Sequence, residues 1–129
     1  MSKKSKLMVV DDEIDVCNFV KSFFEVRGFE VIAALDGDEA MEKLETSKPD
    51  LILLDVKMRR DEEGIEYLPR IRKKLPTAKI LMVTGVDEKE VIDNAKKLGA
   101  DDYITKPLVL EYLESTVLGK IKSLGVATV

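Results

Sequence analysis

Residues 51–55 read Leu-Ile-Leu-Leu-Asp, an unbroken apolar run that ends in an acid. Four more runs of this kind are spaced along the chain, at Leu7–Val10, Phe29–Ala34, Ile80–Val83 and, more weakly, Asp102–Ile104. A strand that is buried on both faces is apolar at successive positions, whereas a half-exposed strand alternates apolar and polar residues. The five runs therefore predict a parallel sheet that is covered on both of its faces.

Amphipathic segments separate these runs, and their spacing of three and four residues is typical of helices. The first buried stripe is predicted to consist of Val16, Phe19, Val20, Phe23 and Phe24. The last is predicted to consist of Leu110, Leu113, Val117, Ile121 and Leu124. Alternation of strands and helices predicts an α/β fold, a doubly wound (βα)5 three-layer sandwich. We expect a flavodoxin-like strand order of 2-1-3-4-5, in one domain of residues 1–129.

Helix boundaries carry their own signals. Asp36–Glu39 and Asp87–Glu90 each place an acid three residues before a glutamate, which is typical of a helix start. Lys96–Gly99 combines cations with a following glycine and indicates a helix end. Pro69 lies within the third helical segment, Glu62–Leu75, where it is expected to start a helix or to kink one.

The composition excludes several classes of protein. With 45% hydrophobic and 36% charged residues in 129, the chain has enough apolar content for a folded core. It has no histidine and one cysteine, Cys17, which rules out Ser-His and Cys-His nucleophile pairs, a disulfide framework and His- or Cys-based metal clusters. A net charge of −4 argues against direct nucleic-acid binding, and no apolar run approaches the ~20 residues of a membrane span. We expect a cytoplasmic protein.

Chemically useful side chains follow the predicted strands. Asp11 and Asp12 come after the first strand, Asp55 ends the third, Thr84 ends the fourth, and Lys106 follows the fifth. Each alone has a plainer explanation, such as a helix cap or a solvated cation. In a doubly wound sheet, however, the carboxyl ends of the strands converge at one edge. Carboxylates held together there would repel unless a cation joined them, and Mg2+ suits such an all-oxygen site.

The same segments resemble the receiver domain of two-component response regulators, of the chemotaxis type with a single receiver. The resemblance covers essentially the whole chain, and its order and spacing are highly specific. It rests on four segments: Val9–Glu13 (Val-Val-Asp-Asp-Glu), Leu53–Met58, Val83–Gly85 and Gly99–Pro107.

The resemblance implies a role for each matching residue. Asp55 would be the phospho-acceptor, with Asp12, Asp55 and the main-chain carbonyl of Lys57 as direct Mg2+ ligands and Asp11 reaching the ion through water. Thr84 would bond the phosphoryl group, and Lys106 would pair with it. Tyr103 would be the switch aromatic, and Pro107 would follow a cis peptide bond.

As in the family, the donor would be a phosphohistidine on a sensor histidine kinase or a histidine phosphotransfer protein. The domain would catalyse only its own phosphorylation and dephosphorylation, as a signalling switch rather than an enzyme. The face of the fourth helix, fifth strand and fifth helix would contact a downstream protein or output domain, with the chain a monomer or a phosphorylation-dependent dimer.

Two features leave questions open. Residues 59–63, Arg-Arg-Asp-Glu-Glu, replace the family's usual proline, and Gly64 comes one place late, in the loop that borders Asp55. The alternative function is an aspartyl-nucleophile phosphohydrolase, but its general acid would stand at position 57, which is Lys57. A flavin- or nucleotide-binding module would have a glycine-rich loop after the first strand, and this sequence has none there. A degenerate receiver that only binds partners would not keep all the site residues. The chain is expected to be either a stand-alone receiver or part of a longer regulator.

Overall fold

The computed structural model describes residues 4–85 and 88–127. Its five strands are β1 (Ser5–Val10), β2 (Phe29–Ala34), β3 (Leu51–Asp55), β4 (Lys79–Thr84) and β5 (Asp102–Thr105). All neighbouring pairs are parallel, and the order across the sheet is β2-β1-β3-β4-β5. The predicted fold class and strand order are therefore confirmed.

Five helices connect and follow the strands. They are α1 (Ile14–Glu25), α2 (Gly37–Lys43), α3 (Glu63–Lys74), α4 (Lys89–Leu98) and α5, which consists of the consecutive segments Leu110–Tyr112, Leu113–Val117 and Leu118–Ser123. The middle segment of α5 is a turn of π-helix. Within residues 4–85 and 88–127, no helix has the length and apolar content needed to cross a membrane.

Successive strand residues face opposite sides of the sheet, and each side has its own apolar core. Leu7, Leu53 and Val83 belong to the core that contains the buried faces of α1 and α5. Met8 and Leu54 belong to the core on the other side, which includes residues of α2, α3 and α4. This two-sided burial is the reason why the central strands are apolar throughout.

Two residues of the predicted helical stripes are exposed. Phe19 retains 39% of its accessible surface, whereas Cys17 is buried with Val20 and Phe24. The buried face of α1 is therefore rotated toward Cys17, and Phe19 lies at its edge. Leu110 is 53% exposed, because the buried side chains of α5 begin one turn later, with Leu113.

The boundary signals are mostly confirmed. Asp36 accepts a 2.8 Å hydrogen bond from the backbone N–H of Glu39, and Gly99 ends α4 with a φ of 120°. The proposed start at Asp87 lies outside the described residues. Pro69 does not start α3, which begins at Glu63 and continues through the proline.

Candidate functional site

Three acidic side chains meet where β1 and β3 end. Asp11, Asp12 and Asp55 each place a carboxylate oxygen within 4.8 Å of the others. Asp11 and Asp55 are buried, whereas Asp12 is exposed. The parallel pairing of β1 with β3 brings these side chains together. Val10 lies opposite Leu54, so Asp11, which follows β1, comes beside Asp55, the last residue of β3.

Lys106 joins two of these acids. Its Nζ lies 2.9 Å from Oδ2 of Asp55 and 3.2 Å from Oδ2 of Asp11. The residue is held at this edge by its own backbone N–H, which donates a 2.8 Å hydrogen bond to the carbonyl of Thr84. The peptide bond between Lys106 and Pro107 is cis, as expected.

The crowding of these groups changes their acidity. Burial, with a contribution from Asp11, raises the pKa of Asp55 to about 7, although Lys106 and the backbone N–H of Lys57 act in the opposite direction. Burial also opposes the charge on Lys106, but Asp55 and Asp11 outweigh it and raise the pKa of that ammonium. The environment therefore favours the charged form of Lys106 and disfavours the ionised form of Asp55.

The acidic cluster has the chemistry of a hard-cation site. Its donors are all carboxylate oxygens, two of them on buried residues, and Mg2+ and Ca2+ prefer such ligands. The Lys57 backbone N–H donates a 3.2 Å hydrogen bond to Oδ1 of Asp55, which keeps residue 57 beside the acidic cluster. Asp11, Asp12 and Asp55 are thus the residues that could hold a metal ion.

Thr84 is also at this edge, and its hydroxyl has a partner that the sequence did not reveal. It is 2% exposed and donates a 2.5 Å hydrogen bond to Oε2 of Glu88. The other carboxylate oxygen of Glu88 lies 3.2 Å from Nζ of Lys57. In the sequence, Glu88 was part of a helix-start pattern, and nothing in its spacing indicated contact with either residue.

Tyr103 does not join the acidic cluster. It lies on β5 opposite Met82 of β4, half-buried. Its ring faces two ammonium groups, with Nζ of Lys120 4.4 Å and Nζ of Lys96 5.7 Å from the ring centroid. Since these lysines belong to α5 and α4, Tyr103 lies on the face that the two helices share with β5.

The unusual loop before α3 is tied to the start of α2. Glu63 is fully buried, and its carboxylate accepts a 2.9 Å hydrogen bond from the backbone N–H of Gly37. Arg59 pairs with the same carboxylate at 3.2 Å. Gly64 follows, and a Cβ at this position would lie 2.0 Å from the carbonyl oxygen of Asp55. The glycine therefore permits α3 to begin directly against Asp55.

A largely apolar pocket of about 570 Å³ is lined in part by Lys106. Val16, Phe19, Pro107 and Leu108 contribute most of its apolar lining. The exposure of Phe19, which the sequence pattern placed in the core, is thus part of an open surface next to the acidic cluster.

Comparison with known proteins agrees with this geometry. Residues 7–118 match the family model described as the response regulator receiver domain. The chain is 44% identical over 102 residues to the alkaline phosphatase synthesis transcriptional regulatory protein PhoP of Bacillus subtilis, a match that covers 79% of this chain and 42% of that protein. It therefore spans less than half the length of that relative.

Two other matches extend over most of the length of both aligned chains. Chemotaxis protein CheY of Listeria monocytogenes is 38% identical over 114 residues, which are 84% of this chain and 95% of that one. The crystal structure of a two-component response regulator from Clostridium difficile has a TM-score of 0.83 and 32% identity, covering 94% of this chain and 95% of the other.

Proposed function

Because this chain belongs to the response regulator receiver domain family, we propose that Asp55 accepts a phosphoryl group from a phosphohistidine of a partner protein. The donor would be a sensor histidine kinase or a histidine phosphotransfer protein of a two-component system. The observation that carries the proposal is the position of Lys106, whose ammonium bridges Asp55 at 2.9 Å and Asp11 at 3.2 Å.

That bridge supports phosphoryl transfer on electrostatic grounds. Phosphoryl transfer needs positioned charges more than covalent assistance from the protein. Lys106 lies close enough to Asp55 to neutralise oxygens of a group attached there. Bound at Asp11, Asp12, Asp55 and the main-chain carbonyl of Lys57, Mg2+ would supply further positive charge for the phosphoryl oxygens.

The proposed reaction is a displacement at phosphorus. A carboxylate oxygen of Asp55 forms a bond to phosphorus while the bond from phosphorus to the histidine nitrogen of the donor breaks. The electron pair of the broken bond leaves with the imidazole. Attack requires the ionised carboxylate, and the pKa of Asp55 is about 7 even with Lys106 beside it. A bound metal ion would therefore be important for keeping Asp55 deprotonated.

The switch would reset itself by hydrolysis. Water attacks phosphorus, the acyl-phosphate bond breaks, and Asp55 returns to a carboxylate with release of inorganic phosphate. Thr84 would donate its hydroxyl hydrogen to a phosphoryl oxygen, and Lys106 would pair with another. Lys57 occupies the position where an aspartyl phosphohydrolase would carry its general acid, which favours a slow switch over a turnover enzyme.

The output surface is proposed to be the face of α4, β5 and α5, with Tyr103 as the moving side chain. Tyr103 is half-buried, and its ring faces Lys96 of α4 and Lys120 of α5. A change in the ring position would therefore alter the surroundings of both ammonium groups. A downstream protein, an output domain or a second copy of the chain would recognise that change.

The test is phosphorylation by a small phosphodonor with Mg2+, followed by intact-mass measurement. We expect a single phosphoryl increment that disappears with a metal chelator and in Asp55→Asn. Asp15→Asn is the matched control, because it alters an exposed carboxylate in the first turn of α1 and should still be labelled. Labelling of Asp55→Asn to the wild-type extent would refute the assignment.

A further inference from the structure

Glu88 holds two groups that border the acceptor site. Its Oε2 accepts the 2.5 Å hydrogen bond from the hydroxyl of Thr84, and its Oε1 lies 3.2 Å from Nζ of Lys57. Thr84 ends β4, Lys57 follows β3, and Glu88 precedes the first residue of α4. One carboxylate therefore connects two strand ends to the beginning of a helix.

The bond to Glu88 competes with any group on Asp55 for the same hydrogen. A threonine hydroxyl has one hydrogen to donate, so Thr84 cannot donate to Glu88 and to a phosphoryl oxygen at once. The ammonium of Lys57 is held by the same carboxylate, while the backbone of Lys57 is bonded to Oδ1 of Asp55. A phosphoryl group on Asp55, the last residue of β3, would bring strong acceptor oxygens to the sheet edge where Thr84 ends β4 and Lys57 follows β3.

We infer that Glu88 is a positioning residue that holds the Thr84 hydroxyl and the Lys57 ammonium in the unphosphorylated chain and releases them when Asp55 is phosphorylated. The inference rests on the proposed function of Asp55. It adds a residue that opposes phosphorylation and sets the balance between the two states. By population shift, such a residue acts only through contacts that differ between the states.

The release of Glu88 would be transmitted to α4. Glu88 directly precedes α4, and its carbonyl accepts the 3.0 Å hydrogen bond from the N–H of Ile92 in the first turn. The bond from Thr84 and the pairing with Lys57 outweigh burial and lower the pKa of Glu88, so its carboxylate is ionised at neutral pH. A charged side chain freed at this point would rearrange the start of the helix.

The first test measures the affinity of beryllofluoride, a phosphoryl mimic, in the presence of Mg2+. Glu88→Ala removes both contacts and should tighten beryllofluoride binding about tenfold. The unbound state then lacks one charge-assisted hydrogen bond that wild type must break on binding. Glu88→Gln keeps an acceptor without the charge and should have a smaller effect. Glu90→Ala, at an exposed position two residues later, should stay within about twofold of wild type.

The second test follows the Thr84 and Lys57 signals by nuclear magnetic resonance without beryllofluoride. In Glu88→Ala they should move toward their positions in the beryllofluoride-bound wild type, an effect that general destabilisation would not produce. In a Thr84→Ala background, most of the affinity gain should be lost. If Glu88→Ala does not fold, Glu88→Asp, whose shorter side chain cannot keep both contacts, should show the same movement and an intermediate gain in affinity.

Unchanged affinity with unmoved Thr84 signals would overturn the role of Glu88. That result is distinct from failure of the proposed function. If Asp55 is not the acceptor, wild type itself would show no beryllofluoride binding that depends on Asp55. If Asp55 is the acceptor and Glu88 has no role, wild type would bind, Asp55→Asn would not, and Glu88→Ala would equal wild type.

Discussion

Glu63, the first residue of α3, accepts a 2.9 Å hydrogen bond from the backbone N–H of Gly37, the first residue of α2. Its carboxylate is fully buried and is also paired with Arg59. The bond joins the loop after β3, which borders Asp55, to the helix that follows β2. The unusual sequence of this loop thus has a structural purpose, since it supplies both the acid and the cation of the contact.

Removing this carboxylate should destabilise the fold. Glu63→Ala leaves the buried Gly37 N–H without its acceptor, whereas Arg59 is exposed and keeps Asp36 and Asp38 as partners. We expect a loss of about 1–3 kcal/mol in the free energy of unfolding. Glu66→Ala is the control, because it removes an exposed pair with Arg60 and should cost less than about 1 kcal/mol. Urea unfolding of both variants measures the difference, and equal losses would contradict the proposed role of the buried bond.

Two glycines should respond oppositely to replacement by alanine. In Gly64→Ala the new Cβ would lie 2.0 Å from the carbonyl oxygen of Asp55, so α3 must shift, and we expect a loss of at least about 2 kcal/mol. In Gly119→Ala, apart from the adjacent residues and the backbone of its own helix, no heavy atom of the described residues lies within 4 Å of the Cβ. The gain in helix propensity should therefore stabilise α5 by about 0.5–1 kcal/mol. Thermal unfolding of the pair checks both signs, and a tolerated Gly64→Ala would disprove the close contact.

Mg2+ should raise the melting temperature of the wild-type chain by mass action, because it binds only where the three carboxylates are assembled. Asp12→Ala relieves repulsion within the cluster and should raise the melting temperature in the absence of metal, while abolishing the increase caused by Mg2+. Ca2+-free and Mg2+-free buffers provide the baseline for calorimetry. A variant that retained the full Mg2+ effect would place the ion elsewhere.

The pKa of Asp55 predicts a pH-dependent difference between wild type and Asp55→Asn. Burial raises this pKa from 3.8 to about 7, so the folded state binds more protons than the unfolded state between these values. The contribution of Asp55 to stability therefore falls as pH rises from about 4 to about 7. Without metal, Asp55→Asn should gain stability relative to wild type as pH rises over this window. A difference that did not change between pH 5 and pH 8 would contradict the raised pKa.

Tyr103 should report phosphorylation at the face of α4, β5 and α5. We expect beryllofluoride with Mg2+ to shift the backbone amide signals of residues 88–98 and 103–113 in addition to those around Asp11, Asp55 and Lys106. The free energy that couples two sites in this way is typically about 1–3 kcal/mol, so phosphorylation should change the affinity of a partner for this face by about 5–150-fold. Tyr103→Ala should reduce the shifts on α5, where Lys120 contacts the ring. Shifts confined to the three acceptor loops would rule out this surface.

Sequence periodicity was sufficient for the sheet and for the place of the site. Leu51–Asp55 is apolar at four successive positions because both faces of β3 are covered, and a parallel sheet brings its carboxyl ends to one edge. The convergence of Asp11, Asp12, Asp55 and Lys106 follows from that topology, and the contacts between them agree with the prediction. Periodicity was less accurate at the edges of helical stripes, where a small rotation of α1 left Phe19 exposed and buried Cys17.

The partners of Thr84 and Glu63 could not be read from the sequence. Strand order and chain direction determine which loops meet. The parallel direction follows from local apolar patterns and the rules for α/β sheets, and the order 2-1-3-4-5 is what the family resemblance implied. The choice of a hydrogen-bond partner depends on distances of a few tenths of an ångström between side chains of different loops, and these are set only when the helices pack. The sequence by itself determined the fold and the residues at the carboxyl edge of the sheet. Only the tertiary structure decided that Glu88 holds Thr84 and that Glu63 holds Gly37.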